Sequence, residues 1–354
     1  MPSALELGGV RRTELLNIVL TISPVITGMW PFTDTPGPWL PYGVSNPSSD
    51  PGWTNPECVP LRVVYHVAHI ETARRIVVDR AIRARLISDE SRLNTERIRV
   101  VWLSPNDWSR GSIYGNVRFA FDWRSIIEDF QAYWVETMDG YNPPACRILL
   151  TRKNYDGKLI RYDPTGSAGV GPWAYDQASD THYWNGRYTL EVMLEDDLDL
   201  AEAHSIDFVD HHPRICSANR GLCSERGQSR LDAGARFVAL IAAQGISVPG
   251  GLLTREEDGK VLPTTALSGA CQWIWPDLAR APVGTLRGQV PAETKMPLAR
   301  AVLHAVSRQD TAEMHRLTGL FESGEDLLRS TASLFQAAFG LDPEVDLRWR
   351  GFIS

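Results

Sequence analysis

Apolar residues in this chain fall into short runs separated by polar, Gly- and Pro-rich segments. The most informative run is Leu61–Ile70, LRVVYHVAHI, where Val63, Val64, Tyr65 and Val67 are β-branched or aromatic and Pro60 precedes them. That composition predicts a strand. Val100–Ser104, Val117–Trp123, Ala145–Thr151 and Tyr188–Leu194 read as further strands. In the last of these, Leu190, Val192 and Leu194 alternate with Glu191 and Met193, which predicts one apolar face. Helical spacing predicts helices over Glu71–Arg80 (Ala73, Ile76 and Val77 on one side) and Ser125–Trp134 (Ile126, Ile127, Phe130, Trp134). Leu231–Gln244, stopped by Gly245, follows, then Met296–His315 and Ser323–Phe339. Ala81–Leu86 reads as a short return strand or turn, and Asp156–Trp184 as a long loop. Strands separated by helices and loops, followed by helices alone, predict an α+β fold.

Domain organisation follows from the punctuation. Eight prolines between residues 31 and 60 exclude helix and central strand. Residues 1–60 are therefore read as an N-terminal segment and Pro-rich arm, with Trp30, Trp39 and Trp53 laid against something. Residues 61–249 form the main domain, and 250–354 a mainly helical C-terminal region. Leu15–Gly28 is too short to span a bilayer and is broken by Pro24, so it is read as an element docked on the core. The expected location is cytoplasmic, with no membrane partner.

Charge and composition refine this. The net charge of −7 argues against a blanket affinity for nucleic acid. Residues 62–118, however, hold eleven arginines against six acidic residues, a surface that suits a pyrophosphate or a nucleic-acid backbone. Five cysteines do not make a secreted disulfide framework. His211, His212, Cys216 and Cys223 are acceptable zinc ligands at a spacing that matches no common finger, so a structural zinc is a secondary candidate. Twelve tryptophans suggest that many line pockets. The chain has no Gly-x-Gly-x-x-Gly after a strand, no Walker loop, no Gly-x-Ser-x-Gly and no His-Glu-x-x-His.

An imidazole in a mostly apolar strand needs a hydrogen-bond partner, which draws attention to His66 and His69. The element YHVAHIETARRIV, the strand Trp102-Leu103-Ser104, Tyr114 in IYGN and Glu191 in YTLEVML together resemble the His-Tyr-Glu branch of the ADP-ribosyltransferase superfamily, and are similar to DarT-like bacterial toxin transferases. The likeness covers roughly residues 61–245. It implies a split central β-sheet core with flanking helices and NAD as co-substrate. It further implies an imidazole (His66 or His69) and the backbone of Val67 at the dinucleotide, with Ser104 on the second strand. Tyr114 would lie on the nicotinamide, and Glu191 would be the catalytic carboxylate. The sequence departs from the family in placing Val67-Ala68-His69 where Gly or Thr usually follows the histidine. Arg85 or Arg92 could supply the arginine.

The chemistry suits those residue types. Cleavage of the nicotinamide–ribose bond passes through an oxocarbenium-like centre. A carboxylate stabilises it and takes a proton from the acceptor, an imidazole donor fixes the ribose hydroxyls, and an aromatic face receives the cationic nicotinamide ring. The expected activity is mono-ADP-ribosyl transfer to a macromolecule, nucleic acid before protein, in a toxin or defence effector with a neutralising antitoxin-like partner. The alternatives are an NAD glycohydrolase or RNA 2′-phosphotransferase on the same fold, or a non-catalytic binding module.

Overall fold

The computed structural model describes residues 58–87, 93, 96–108, 112, 114–138, 145–165, 171–186, 188–209, 230–248, 255–257, 260–262, 274–286, 291–340, 347–348 and 353–354. Arg92, the His211/His212/Cys216/Cys223 group, Leu15–Gly28 and most of the proline arm lie outside the described residues. In chain order the elements begin with β1 (Cys58–Pro60), β2 (Val63–Ala68), α1 (Ile70–Asp79), β3 (Ala81–Ile82), β4 (Val101–Leu103), β5 (Val117–Asp122) and α2 (Trp123–Ile127). Next come β6 (Gln131–Met138), β7 (Ala145–Thr151), β8 (Ile160–Arg161), β9 (Trp173–Asp176), β10 (Thr181–Asn185), β11 (Thr189–Leu194), β12 (Leu198–Asp199) and β13 (Ala203–Phe208). The last are α3 (Arg230–Gln244), β14 (Arg255–Glu257), β15 (Lys260–Leu262), α4 (Ala292–Ser307), α5 (Thr311–Thr318) and α6 (Gly324–Phe339). The class is mixed α and β with several sheets. No helix among the described residues is long and apolar enough to cross a membrane.

The chain divides into two compact, discontinuous units. The first takes in the described residues up to 61 and those of 88–97 and 129–195. Its main sheet runs β11-β7-β6-β8, with β11 parallel to β7 and the other pairs antiparallel. All seven residues of β7 are buried, so this central strand shows no alternation at all. A second small sheet runs β1-β10-β9, with the three residues that end the proline arm at its edge, as proline requires.

Two expectations fail here. Ser125–Trp134 is not one helix. Helix α2 stops after five residues because Glu128 is extended (ψ 127°) and Asp129 is left-handed (φ 67°), and Trp134 lies in β6. Asp156–Trp184 is not a featureless loop, since it carries β8, β9 and most of β10. Trp134, Tyr162 and Trp173 stack in series within this unit at centroid separations of 5.8 Å. Trp134 is 1% exposed, and in the other unit Trp123 and Trp275 are fully buried. These tryptophans fill cores rather than line pockets.

The second unit comprises residues 62–87, 98–128 and 196–354. Its sheet runs β13-β5-β2, all antiparallel, and β12 pairs with β3. Helix α1 buries Ile70, Ala73, Ile76 and Val77 and ends at the left-handed Arg80. It packs on α3, which in turn packs on α4 and α6. Helix α3 is buried along Phe237–Ala243 and stops where Gly245 turns left-handed (φ 63°). The expected helix Met296–His315 is two helices. Left-handed Gln309 breaks it, and the Asp310 carboxylate accepts from Glu313 N at 3.0 Å to start α5. Ser323 caps α6 in the same way, and Gly340 ends it.

Candidate functional site

In the second unit β2 lies between β5 and a short contact with β4. Tyr65 N donates to Ser104 O (2.7 Å) and Ser104 N to Tyr65 O (3.0 Å). Backbone groups alternate in direction along an antiparallel ladder. Val67 therefore turns its N–H and C=O to the same side as Tyr65, beyond the Tyr65–Ser104 bridge.

His66 points the other way from Tyr65 and sits across from Phe119, its register partner, at 6.3 Å between ring centroids. Its Nδ1 lies 2.9 Å from Trp102 O. A carbonyl only accepts, so Nδ1 carries the proton and neutral His66 presents Nε2 as an acceptor. Nε2 has no hydrogen-bond partner among the described residues. Burial pushes the His66 pKa down, and the bond to Trp102 O opposes that shift. The ring is therefore kept neutral. The expected imidazole donor is an acceptor instead.

Of the other predicted residues of this unit, His69 lies at the end of β2, Ser104 bridges Tyr65 within it, and Arg85 bridges Val100. His69 is 7% exposed and is the residue before α1; its carbonyl accepts from Ala73 N at 2.8 Å. Asn116 Oδ1 accepts from Ile70 N (3.0 Å), supplying the cap that His69 does not. Gly115 lies against the β2–α1 junction at φ 151°, so close that a Cβ there would come 2.1 Å from the Ala68 carbonyl carbon. Ser104 Oγ accepts from Asn106 N (3.2 Å). Tyr114 is half-buried and meets Trp108 edge-on at 5.4 Å. Arg85 is exposed, and its side chain has no hydrogen-bond or ion-pair partner among the described residues. Four of the other arginines of residues 62–118 are spent inside the unit. Arg74 donates to Ser307 O, Arg80 to Gln244 O, Arg83 to Asp197 and Arg118 to Asp207.

Sequence reasoning missed the Arg118 cluster. The guanidinium lies over the Tyr65 ring (4.6 Å), donates to Asp107 O, and pairs at 3.1 Å with Asp207, which is 4% exposed. Burial raises the Tyr65 pKa, and Arg118 opposes that rise. The partner on β13 is distant in sequence, and only strand register brings it to Arg118.

Glu191 belongs to the first unit. Across the sheet it sits in register with Arg147 on β7, which faces Glu136 on β6. Arg147 Nε donates to Glu191 Oε2 at 2.8 Å, and Arg147 Nη1 donates to Glu136 Oε1. The side chains are 12% (Glu191), 8% (Arg147) and 4% (Glu136) exposed. Glu191 Oε1 has no hydrogen-bond partner among the described residues. Glu136 and Arg147 were also missed, since the expected helix Ser125–Trp134 covers only the start of β6 and nothing local announces a cross-strand ion pair. Cys146, next to Arg147, has its thiol pushed up to about 12 by burial, as in a buried structural cysteine rather than an activated nucleophile.

A cavity of about 530 Å³ lies among α3, residues 274–280, α4 and α5, lined by Ala235, Arg236, Asp277, Arg280, Met314 and His315 among others, and none of the predicted residues lines it. No metal-ligand cluster occurs among the described residues. Comparison of the chain with protein-family models, with curated proteins and with solved structures finds no match.

Proposed function

We propose that this chain is an NAD-dependent mono-ADP-ribosyltransferase that modifies a macromolecular acceptor, with nucleic acid the first to test. The observation that carries the reading is the state of His66. One ring nitrogen is fixed to a backbone carbonyl, the other is an uncommitted acceptor, and the outward backbone of Val67 is the next residue. A strand end of that kind can accept from a ribose hydroxyl through His66 Nε2 and pair with a carboxamide through Val67, two contacts that together fix a nicotinamide riboside. Tyr114 supplies an aromatic face for the cationic ring. Arg85 is a free cation for the pyrophosphate.

In the reaction the bond from C1′ of the ribose to the nicotinamide nitrogen breaks, and its electron pair leaves with nicotinamide. The acceptor's nucleophilic atom bonds to C1′, and its proton goes to a carboxylate that also stabilises the positive charge developing at C1′, the role that the likeness gives to Glu191.

Incubating the full chain with adenine-labelled NAD and single-stranded DNA, RNA or protein tests the assignment. The expected result is nicotinamide release with label on an acceptor, reduced at least about a hundredfold by Glu191→Gln. An unchanged rate in that variant, or no nicotinamide at all, rules the reading out. Free ADP-ribose without labelled acceptor identifies a glycohydrolase, and salt-sensitive nucleic-acid binding without NAD consumption a binding module.

A further inference from the structure

The Glu136–Arg147–Glu191 row has a property that a generic surface ion pair lacks. Two carboxylates share one guanidinium on a face where all three side chains are nearly buried. Arg147 is the middle member and cannot shift toward either side without losing the other. Its Nε and Nη1 are rigidly related by the planar fork, and the two bonds hold it between Glu136 of β6 and Glu191 of β11. Glu136 is the more buried anchor. Glu191 is held by Oε2 alone, with Oε1 uncommitted.

We infer that Arg147, anchored by Glu136, is the positioning residue for Glu191: it immobilises one carboxylate oxygen and leaves Oε1 as the oxygen that works. This inference rests on the proposed function, since it assigns a purpose to the same carboxylate. Arg147 touches neither NAD nor acceptor in this scheme. It acts by removing the rotameric freedom of Glu191, and an error of about 1 Å in placing a catalytic group costs about a hundredfold in rate. The free Oε1 also has a use, because the centre that develops opposite it during nicotinamide departure is positive.

The test uses Arg147→Lys, which keeps the cation in the sheet and so keeps the fold, but replaces the fork with a point donor. Full-length parent, Arg147→Lys, Glu136→Gln and Glu191→Gln are compared for NAD binding by titration and for nicotinamide release. The expected outcome is an NAD Kd within about twofold of the parent for Arg147→Lys, with kcat down about ten- to a hundredfold. Glu136→Gln, which retains an acceptor for Arg147, falls between the two. A parental kcat in Arg147→Lys overturns the inference, as does a loss confined to Kd and KM. If Glu191→Gln abolishes turnover while Arg147→Lys does not reduce it, positioning fails and the functional reading survives. If Glu191→Gln turns over NAD like the parent, both fall. Should Arg147→Lys lose its cooperative unfolding transition, Glu136→Gln carries the same test, and an unchanged kcat there overturns the inference.

Discussion

The strand that carries His66 and the strand that carries Glu191 hold their functional groups by opposite means. His66 is fixed by a backbone carbonyl and an apolar neighbour, Trp102 O and Phe119, and no charged side chain among the described residues takes part. Glu191 is fixed by a charge that is itself held by another charge. A backbone partner cannot be removed by substitution and leaves the ring neutral. A shared guanidinium can be removed in one step, and its loss takes away the partner that two carboxylates have in common. The first arrangement suits an acceptor of hydrogen bonds, the second a group that must stay ionised and aimed.

The largest effect comes from breaking the second arrangement. Arg147→Met removes the only cation in a row whose members are at most 12% exposed. Breaking a buried ion pair from one side costs about 3–5 kcal/mol, because the desolvated partner stays behind. Urea unfolding should show that loss, and most of it should return in Arg147→Met/Glu136→Gln/Glu191→Gln, where the anions are gone. A loss below about 1 kcal/mol in the single variant would make the row an ordinary solvated pair.

A smaller effect is expected from disturbing the support of the His66 strand. Gly115→Ala places a Cβ about 2 Å from the Ala68 carbonyl, at a φ that side-chain-bearing residues rarely adopt. The β2–α1 junction must move, taking with it the Asn116 cap on Ile70. The cost should be at least about 2 kcal/mol. Gly324→Ala, where nothing lies within 4 Å of the added carbon, is the control and should leave stability unchanged or raise it by up to about 1 kcal/mol. Equal effects at the two positions would mean that the close approach at Gly115 is not what orders this strand.

This contrast also explains what the sequence could reveal. The strands Val63–Ala68, Ala145–Thr151 and Thr189–Leu194 were legible because runs of β-branched and aliphatic residues favour a buried strand whatever lies beside them. Helix α3 and its glycine stop were legible for an equally local reason. Strand β6 was not, because Ala132–Thr137 is buried on both faces and shows no period of two, while Ile126, Ile127, Phe130 and Trp134 imitate a helical stripe across a helix end that Asp129 imposes. The candidate site divides in the same way. His66, Tyr114 and Glu191 could be named from local motifs. Glu136 and Arg147 could not, and neither could Arg118 with Asp207, because their partnerships depend on which residue of one strand faces which residue of another.

The smallest effect, and the one that sharpens the comparison most, is the pH response of His66. Burial lowers its pKa in the folded chain below the ordinary 6.5, against the pull of its bond to Trp102 O. Between the folded and the ordinary value the unfolded chain binds a proton that the folded chain refuses, so stability must rise with pH through that window. The contribution is complete above about pH 6.5 and is lost as pH falls below it. His304 on α4 is also shifted down, by burial and by Arg308, so the wild-type curve alone does not isolate His66. The difference between wild type and His66→Gln does. Measured by urea unfolding, the two should run parallel above pH 7, with the wild type falling more steeply below pH 6.5. Parallel curves throughout would mean that His66 takes up its proton in the folded state as readily as in the unfolded one. The neutral, acceptor-bearing imidazole that sets this strand apart from the carboxylate row would then not exist.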